Sequence, residues 1–196
     1  MATDAANKIP TTVLPATLVE VPATATYELK KYSCLVNGGR EGDVESVELH
    51  RNGKMVAMAN NRGDGGMCSI EIWSRGDDEM FARERKILHG WIDDFKASGL
   101  VHRIESPTDA YEPMETEYDE EAVANVLLFE AKVAQDLSRK RTPYFAESME
   151  KARKGVYFTL KNSSKATPAQ LQGFLDKNPG VVVWSKAEKK WTSKIA

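Results

Sequence analysis

The stretch that decides the fold is Asp43–Trp73, DVESVELHRNGKMVAMANNRGDGGMCSIEIW. Its apolar residues fall into three short runs. They predict strands over residues 44–50, 55–59 and 67–73. In the third run apolar and polar side chains alternate, a period typical of a strand with one buried face. Asn52-Gly53 lies between the first two runs and is a strong hairpin signal, because both residues tolerate a positive φ. The stretch therefore predicts an antiparallel meander.

A glycine-rich loop joins the second and third predicted strands. It consists of Asn60, Asn61, Arg62, Gly63, Asp64, Gly65 and Gly66. Glycine and asparagine adopt backbone conformations that other residues avoid, so the loop can turn several N–H groups toward one phosphate or nucleotide ligand. It can equally be a wide turn or bulge that binds nothing. No Gly-Lys-Ser or Gly-Lys-Thr follows, so nucleotide binding would need a geometry other than the P-loop.

The order of these features resembles that of small uncharacterised proteins encoded in tailed-phage genomes. Those proteins often carry an Asp/Asn-Gly-Lys turn followed by an Asn-Asp-Gly-x-Gly-Gly loop. Here the turn is Asn52-Gly53-Lys54, and the loop over residues 60–66 departs from the pattern as Asn-Asn-Arg-Gly-Asp-Gly-Gly. The resemblance extends faintly to Gly155–Leu160. It implies an origin, a phage accessory protein acting inside a bacterium, and carries no established activity.

Two main helices are predicted outside the meander. The first begins at Asp77, a favourable N-cap, and ends at Gly99, which suits the position after a helix. Apolar residues at helical spacing between them predict one buried stripe. The second helix is expected to begin at Thr116 and to end at the basic run over residues 139–141, where the helix dipole favours cations.

The C-terminal third repeats short strand and helix signals. Thr142-Pro143 predicts the start of a short helix that stops at Gly155. A strand–helix–strand subunit is expected over residues 156–185, as a βαβ unit or as two edge strands that flank a helix.

The predicted fold class is α+β, with a small antiparallel sheet packed against two main helices. A further strand is expected over residues 27–36, and residues 27–196 are expected to form one domain. Residues 1–26 are rich in Ala, Thr and Pro, a composition that predicts an extended, flexible N-terminal arm.

Composition excludes several classes of protein. With 41% hydrophobic and 29% charged residues, the 196-residue chain is typical of soluble proteins. It contains no apolar run long enough for a membrane span and no secretory signal, so the cytoplasm is expected. Cys34 and Cys68 both lie in strand-like runs and are expected to be buried, reduced thiols. Two cysteines and three scattered histidines do not form a zinc pattern, so no metal or other cofactor is predicted.

The net charge of −2 conceals a strong asymmetry. Residues 131–196 contain 14 Lys+Arg and 5 Asp+Glu, a net charge of +9. Subtraction from the totals of 27 Lys+Arg and 29 Asp+Glu leaves 13 and 24 for residues 1–130, a net charge of −11. Cations interleaved with aromatic rings can hold phosphates and stack on bases. The candidate nucleic-acid-binding residues are Arg139, Lys140, Arg141, Lys151, Arg153, Lys154 and Trp191. A solvated surface, or pairing with the acidic run over residues 105–121, accounts equally for the charges.

Motifs for catalysis are not found. The chain lacks Gly-x-Ser-x-Gly, neither cysteine has a local histidine signature, and adjacent acids on a helix do not share a face. The sequence favours a non-enzymatic binding protein, phage-encoded, that acts through a protein partner or through self-association. Nucleic-acid binding by the basic C-terminal third is the alternative, and ligand binding by the glycine-rich loop is a third possibility.

Overall fold

The computed structural model describes residues 9–25, 27–104, 114–139 and 142–195. The chain divides into two compact units, where the sequence predicts one domain over residues 27–196. Unit 1 comprises Met1–Thr12 and Glu20–Leu128. Unit 2 comprises Val13–Val19 and Phe129–Ala196.

Six of the described strands precede the first described helix, and helices and short strands are interspersed after it. The described strands are β1 (Thr11–Val13), β2 (Glu20–Pro22), β3 (Glu28–Leu35), β4 (Val44–Arg51), β5 (Lys54–Asn61), β6 (Ser69–Ile72), β7 (Val101–Ile104), β8 (Met114–Glu117), β9 (Phe145–Ala146), β10 (Val182–Ser185) and β11 (Lys190–Thr192). The described α-helices are α1 (Asp78–Ala97), α2 (Glu120–Arg139), α3 (Met149–Arg153) and α4 (Pro168–Lys177). Helices combined with antiparallel sheets confirm the α+β class. Among the described residues, no helix has the length and apolar character that crossing a membrane requires.

A four-stranded sheet in the order β3-β4-β5-β6 contains the predicted meander. Asn52 and Gly53 have φ values of +52° and +77°, so the predicted tight turn joins β4 to β5. Leu49 pairs with Ala57, which pairs with Ile72, and this cross-strand row lies on the apolar face of the sheet.

Helix α1 confirms the first predicted helix. Its N-cap, Asp77, accepts a hydrogen bond from the N–H of Met80 at 2.8 Å. Its buried stripe includes Leu88, Trp91 and Phe95. The helix therefore presents an aromatic face to the core of unit 1.

The start of helix α2 differs from the prediction. Thr116 lies in β8, where it pairs with His102 of β7, and so does not cap the helix. Asp119 takes that position, because its Oδ1 accepts a hydrogen bond from the N–H of Ala122 at 2.8 Å. A local capping signal at Thr116 thus yields to strand pairing.

Unit 2 is built on the antiparallel sheet β9-β10-β11. On one face lie Trp184 and Trp191, clustered with Leu137 of α2; on the other lies Val183, clustered with Leu175 of α4. Side chains cover both faces of the sheet, which is therefore the middle layer of the unit.

Two predictions for the C-terminal third are wrong. Residues 156–160 do not form a strand and contribute only a bridge from Phe158 to Phe145, so no parallel strand–helix–strand unit exists. The helix expected from Thr142-Pro143 begins later, after the N-cap Ser148. Phe145 is fully buried in β9, so tertiary packing overrides the helix-start signal there.

The predicted flexible arm covers too much of the chain. Residues 9–25 include β1 and β2, and Ala16, Leu18 and Val21 are at most 6% exposed. Burial of the short apolar runs between the prolines therefore helps to hold this segment in one position. Residues 1–8 and 26 lie outside the described residues.

Candidate functional site

Two loops meet at one end of the four-stranded sheet. Because neighbouring strands are antiparallel, β3 and β5 end where β4 and β6 begin. Residues 36–43 join β3 to β4, and residues 62–68 join β5 to β6. Together with Leu35, we call these two loops the loop end.

The two loops interlock through their backbones. The N–H of Glu41 donates to the carbonyl of Gly63 at 2.7 Å. A Cβ at Gly39 would lie 2.2 Å from the carbonyl oxygen of Gly63, a distance that no side chain could tolerate. Gly63 itself has a φ of +64°. Both glycines are therefore required by the close approach of one loop to the other.

The glycine-rich loop satisfies its own donors. The N–H of Gly63 donates to Oδ1 of Asn61 at 2.9 Å, and the N–H of Gly66 donates to Oδ1 of Asp64 at 3.0 Å. These two side-chain turns use N–H groups that an anion would need. The structure therefore favours the interpretation as a wide turn over a phosphate site.

The other residues of the predicted loop each make a different contact. Asn60 is paired within β5, with Ser69 of β6 as one partner. Arg62 lies 2.7 Å from Oε1 of Glu71, and this hydrogen bond raises the pKa of the guanidinium. Gly65, with a φ of +76°, lies beside the carboxylate of Glu41. The loop thus lies between β5 and β6 as predicted, and ligand binding by it stays a prediction.

Large apolar side chains are exposed at the loop end. Leu35 is 63% exposed, Val36 is 69% exposed and Met67 is 75% exposed. The thiol of Cys34 is exposed beside them, contrary to the expected burial of both cysteines. Strand β3 lies at the edge of its sheet and residues 33–36 are all exposed, so a strand-like run does not by itself predict burial of Cys34.

Acidic side chains line a cavity beside the loop end, which itself also carries the cations Arg40 and Arg62. A cavity of about 610 Å³ beside Met67 is lined by Asp64, Glu120 and Glu121 and contains Arg62 as its cation. Cys68 also lines this cavity, and burial, followed by the nearby charge of Glu121, raises the pKa of its thiol. Cys68 is therefore protonated at neutral pH and unsuited to nucleophilic attack. The described side chains include no group of three placed to hold a metal ion.

A second cavity in unit 1, of about 500 Å³, contains a buried carboxylate. Glu84 is 1% exposed and accepts two hydrogen bonds from the guanidinium of Arg51, while Nε of Arg83 lies 3.3 Å from it. The sequence signal for this pair is the acid at an apolar position of the α1 stripe. Because Arg51 neutralises Glu84, the pair acts as a link between β4 and α1.

The basic candidate residues divide into exposed and buried groups. Arg139, Lys151, Arg153 and Lys154 are exposed, and Lys140 and Arg141 lie outside the described residues. Trp191 is 5% exposed, so its ring is not available to stack on a base. Among the described candidates, the exposed side chains are therefore cations, and the predicted stacking ring of Trp191 is not one of them.

Comparison of the chain with protein-family models, with curated proteins and with solved structures found no match. Function is therefore inferred from the loop end, the exposed cations and the interior of unit 2.

Proposed function

We propose that the chain is a non-enzymatic binding protein and that a protein partner binds the loop end of unit 1. The observation that carries this proposal is the exposure of Leu35, Val36 and Met67 on two interlocked loops. Single exposed apolar residues are common, but several large ones at one end of a sheet are typical of interaction sites. Covering one such side chain contributes about 1.5–3 kcal/mol.

The charges around the apolar side chains indicate the chemistry of the partner. Glu41 and Asp64 are exposed on the loops together with the cation Arg40, and Glu120 and Glu121 line the adjacent cavity. Arg62 is already paired with Glu71. A partner with apolar side chains framed by Lys or Arg would complement this surface, and its association would slow as salt increases.

The resemblance to tailed-phage proteins supports a setting for this binding. It favours a phage accessory protein in the bacterial cytoplasm, with a host protein, a phage protein or a second copy of the chain as partner. The proposal does not require any particular one of these.

The first prediction concerns the exposed apolar side chains. In the triple variant Leu35→Ser, Val36→Ser and Met67→Ser, partner affinity should fall at least about tenfold, because even one buried large side chain contributes more than that. A tagged chain expressed in a bacterium is captured, and co-purified protein is quantified by mass spectrometry. The matched control is Val101→Ser, which removes a side chain that is 51% exposed elsewhere in unit 1.

Partner recovery that is unchanged in the triple variant, or that falls equally in the control, would contradict the loop-end proposal.

The exposed cations Lys151, Arg153 and Lys154 favour nucleic-acid binding as a second candidate. Two results together would assign the function to those cations. Nuclease would remove the material that co-purifies with the chain, and the chain would retard nucleic acid in a gel at about 50 mM salt, with less retardation as the salt concentration rises.

A further inference from the structure

A segment from near the N-terminus is held inside unit 2 by a single carboxylate. Glu130, 3% exposed on α2, accepts a hydrogen bond from the N–H of Ala16 at 2.8 Å through Oε1. Its Oε2 accepts from the N–H of Thr17 at 2.8 Å and from the hydroxyl of Thr17 at 2.7 Å. Both oxygens of the carboxylate are therefore committed to two consecutive residues of the segment 13–19.

An indole and an apolar cluster complete this contact. Nε1 of Trp191 donates to the carbonyl of Ala16 at 3.1 Å. The side chains of Ala16 and Leu18 are 1% and 6% exposed and belong to the core cluster that contains Leu137 and Trp184. Unit 2 thus selects a small residue, a hydroxyl and a branched apolar side chain at three successive positions.

The segment is bound in the manner of a peptide ligand. Its backbone closes on itself, because the N–H of Leu14 donates to the carbonyl of Val19 and the N–H of Leu18 donates to that of Leu14. Its backbone is held by the side chains of Glu130 and Trp191 and not by pairing with the sheet of unit 2, whereas β1, which includes Val13, pairs with β2 in a separate two-stranded sheet. The residues on both sides of the segment, up to Thr12 and from Glu20, belong to unit 1.

We propose that unit 2 contains a peptide-binding site, occupied in the free chain by the segment 13–19, which leaves the site without unfolding the rest of the unit. The ligand class is a turn-forming peptide with a small residue, Thr or Ser, and Leu in succession. This site is independent of the loop end and uses different residues.

The energetics of Glu130 support local opening. Burial raises the pKa of its carboxyl group, and the hydrogen bonds from Ala16 and Thr17 only partly oppose that effect. Departure of the segment would return the carboxylate to water and remove the desolvation cost. Opening should therefore require less free energy than unfolding the sheet of unit 2.

Native-state hydrogen exchange on the full chain tests the opening. The amides of Ala16 and Thr17 should exchange at least about a hundredfold faster than that of Val183 in β10, with little dependence on low denaturant concentrations. Equal protection of all three amides, with the same denaturant dependence, would show that the segment is ordinary core and would overturn the proposal.

A competition experiment tests the site itself. The full-length variant Leu18→Asp should vacate the site, because a buried carboxylate without a partner is unfavourable. A fluorescent peptide of residues 13–19 should then bind to this variant and bind at least tenfold more weakly to the wild type. The double variant Leu18→Asp with Glu130→Ala should lose the peptide, and a control peptide with Asp in place of Leu should not bind.

Absence of peptide binding to a folded Leu18→Asp chain would overturn the proposal, as would equal binding to the Glu130→Ala double variant. If circular dichroism shows that Leu18→Asp does not fold, the hydrogen-exchange comparison on the wild type decides the question alone.

Discussion

Two buried carboxylates illustrate how single residues determine this structure. Glu84 is compensated by the guanidinium of Arg51, a full opposite charge. Glu130 receives its described hydrogen bonds from neutral donors, two N–H groups and one hydroxyl. Burial raises the pKa of the Glu130 carboxyl group, and the hydrogen bonds from Ala16 and Thr17 oppose this only in part.

The stability contribution of Glu130 should depend on pH. Since the folded chain raises the pKa of this carboxyl group, the folded state holds the proton more tightly than the unfolded state. The associated stabilisation is fully present below the ordinary glutamate pKa and is lost as pH rises through the raised value. Relative to Glu130→Gln, which does not titrate, the wild type should therefore lose free energy of unfolding as pH rises from about 4.5 toward neutrality.

Urea unfolding at a series of pH values measures this difference. Asp136→Asn is the matched control, because Asp136 is an exposed acid on the same helix. The account of Glu130 is wrong if the difference between wild type and Glu130→Gln stays constant, or if it increases in favour of the wild type with rising pH.

At the scale of elements, the sequence predicts what local signals specify. The turn at Asn52-Gly53 and helix α1 follow from short-range propensity and are found as expected. Strand β9 does not, because Phe145 and Ala146 form a strand by pairing with β10, far along the chain, and through the bridge from Phe145 to Phe158. A strand of two residues that depends on contacts with distant residues is too short to show the alternation of apolar and polar side chains that predicts a strand.

The β4–β5 hairpin offers a clean test of backbone conformation. Gly53 has a φ of +77°, and a Cβ there would meet no other atom, so Gly53→Ala changes only conformational strain. We expect a loss of about 1 kcal/mol in the free energy of unfolding. This corresponds to a fall of roughly 2–4 °C in the melting temperature of a chain of this length.

Gly42→Ala provides the control for this hairpin variant. A Cβ at Gly42 also meets no neighbour, and its φ is not positive, so the change should be neutral or slightly stabilising. Thermal unfolding of both variants makes the comparison. Equal shifts for the two would show that the conformation of Gly53 does not determine the hairpin.

At the scale of the whole molecule, function depends on which side chains the fold leaves outside. The sequence identifies the glycine-rich loop, but not that Gly63 and Gly66 donate their N–H groups within it. It also places Trp191 on a basic surface, whereas the fold buries this ring in the core of unit 2. Charge and spacing are visible in a sequence, but the direction of a donor and the exposure of a ring follow from tertiary packing.

The division into two units could not be predicted either. The segment 13–19 joins unit 2 although the residues flanking it belong to unit 1. Its partner, Glu130, is 113 residues from Thr17 in the chain. Short apolar runs among prolines resemble a flexible arm, and the distant acceptor for the N–H groups of Ala16 and Thr17 leaves no signal in their own sequence.

Site-directed cross-linking can show directly whether a protein partner covers the loop end. The exposed thiol of Cys34 lies next to Leu35, while Cys68 is buried, so a maleimide photo-cross-linker can be attached selectively at the loop end. In the control chain, Cys34→Ser is combined with Val156→Cys, which moves the thiol to a position that is 52% exposed in unit 2.

When the purified, labelled chain is irradiated in a bacterial lysate, a discrete protein adduct should form from Cys34, be absent from the control chain, and diminish when Val36→Ser and Met67→Ser are added. Absence of a protein adduct from Cys34, together with a protein or nucleic-acid adduct from the control position, would contradict the account.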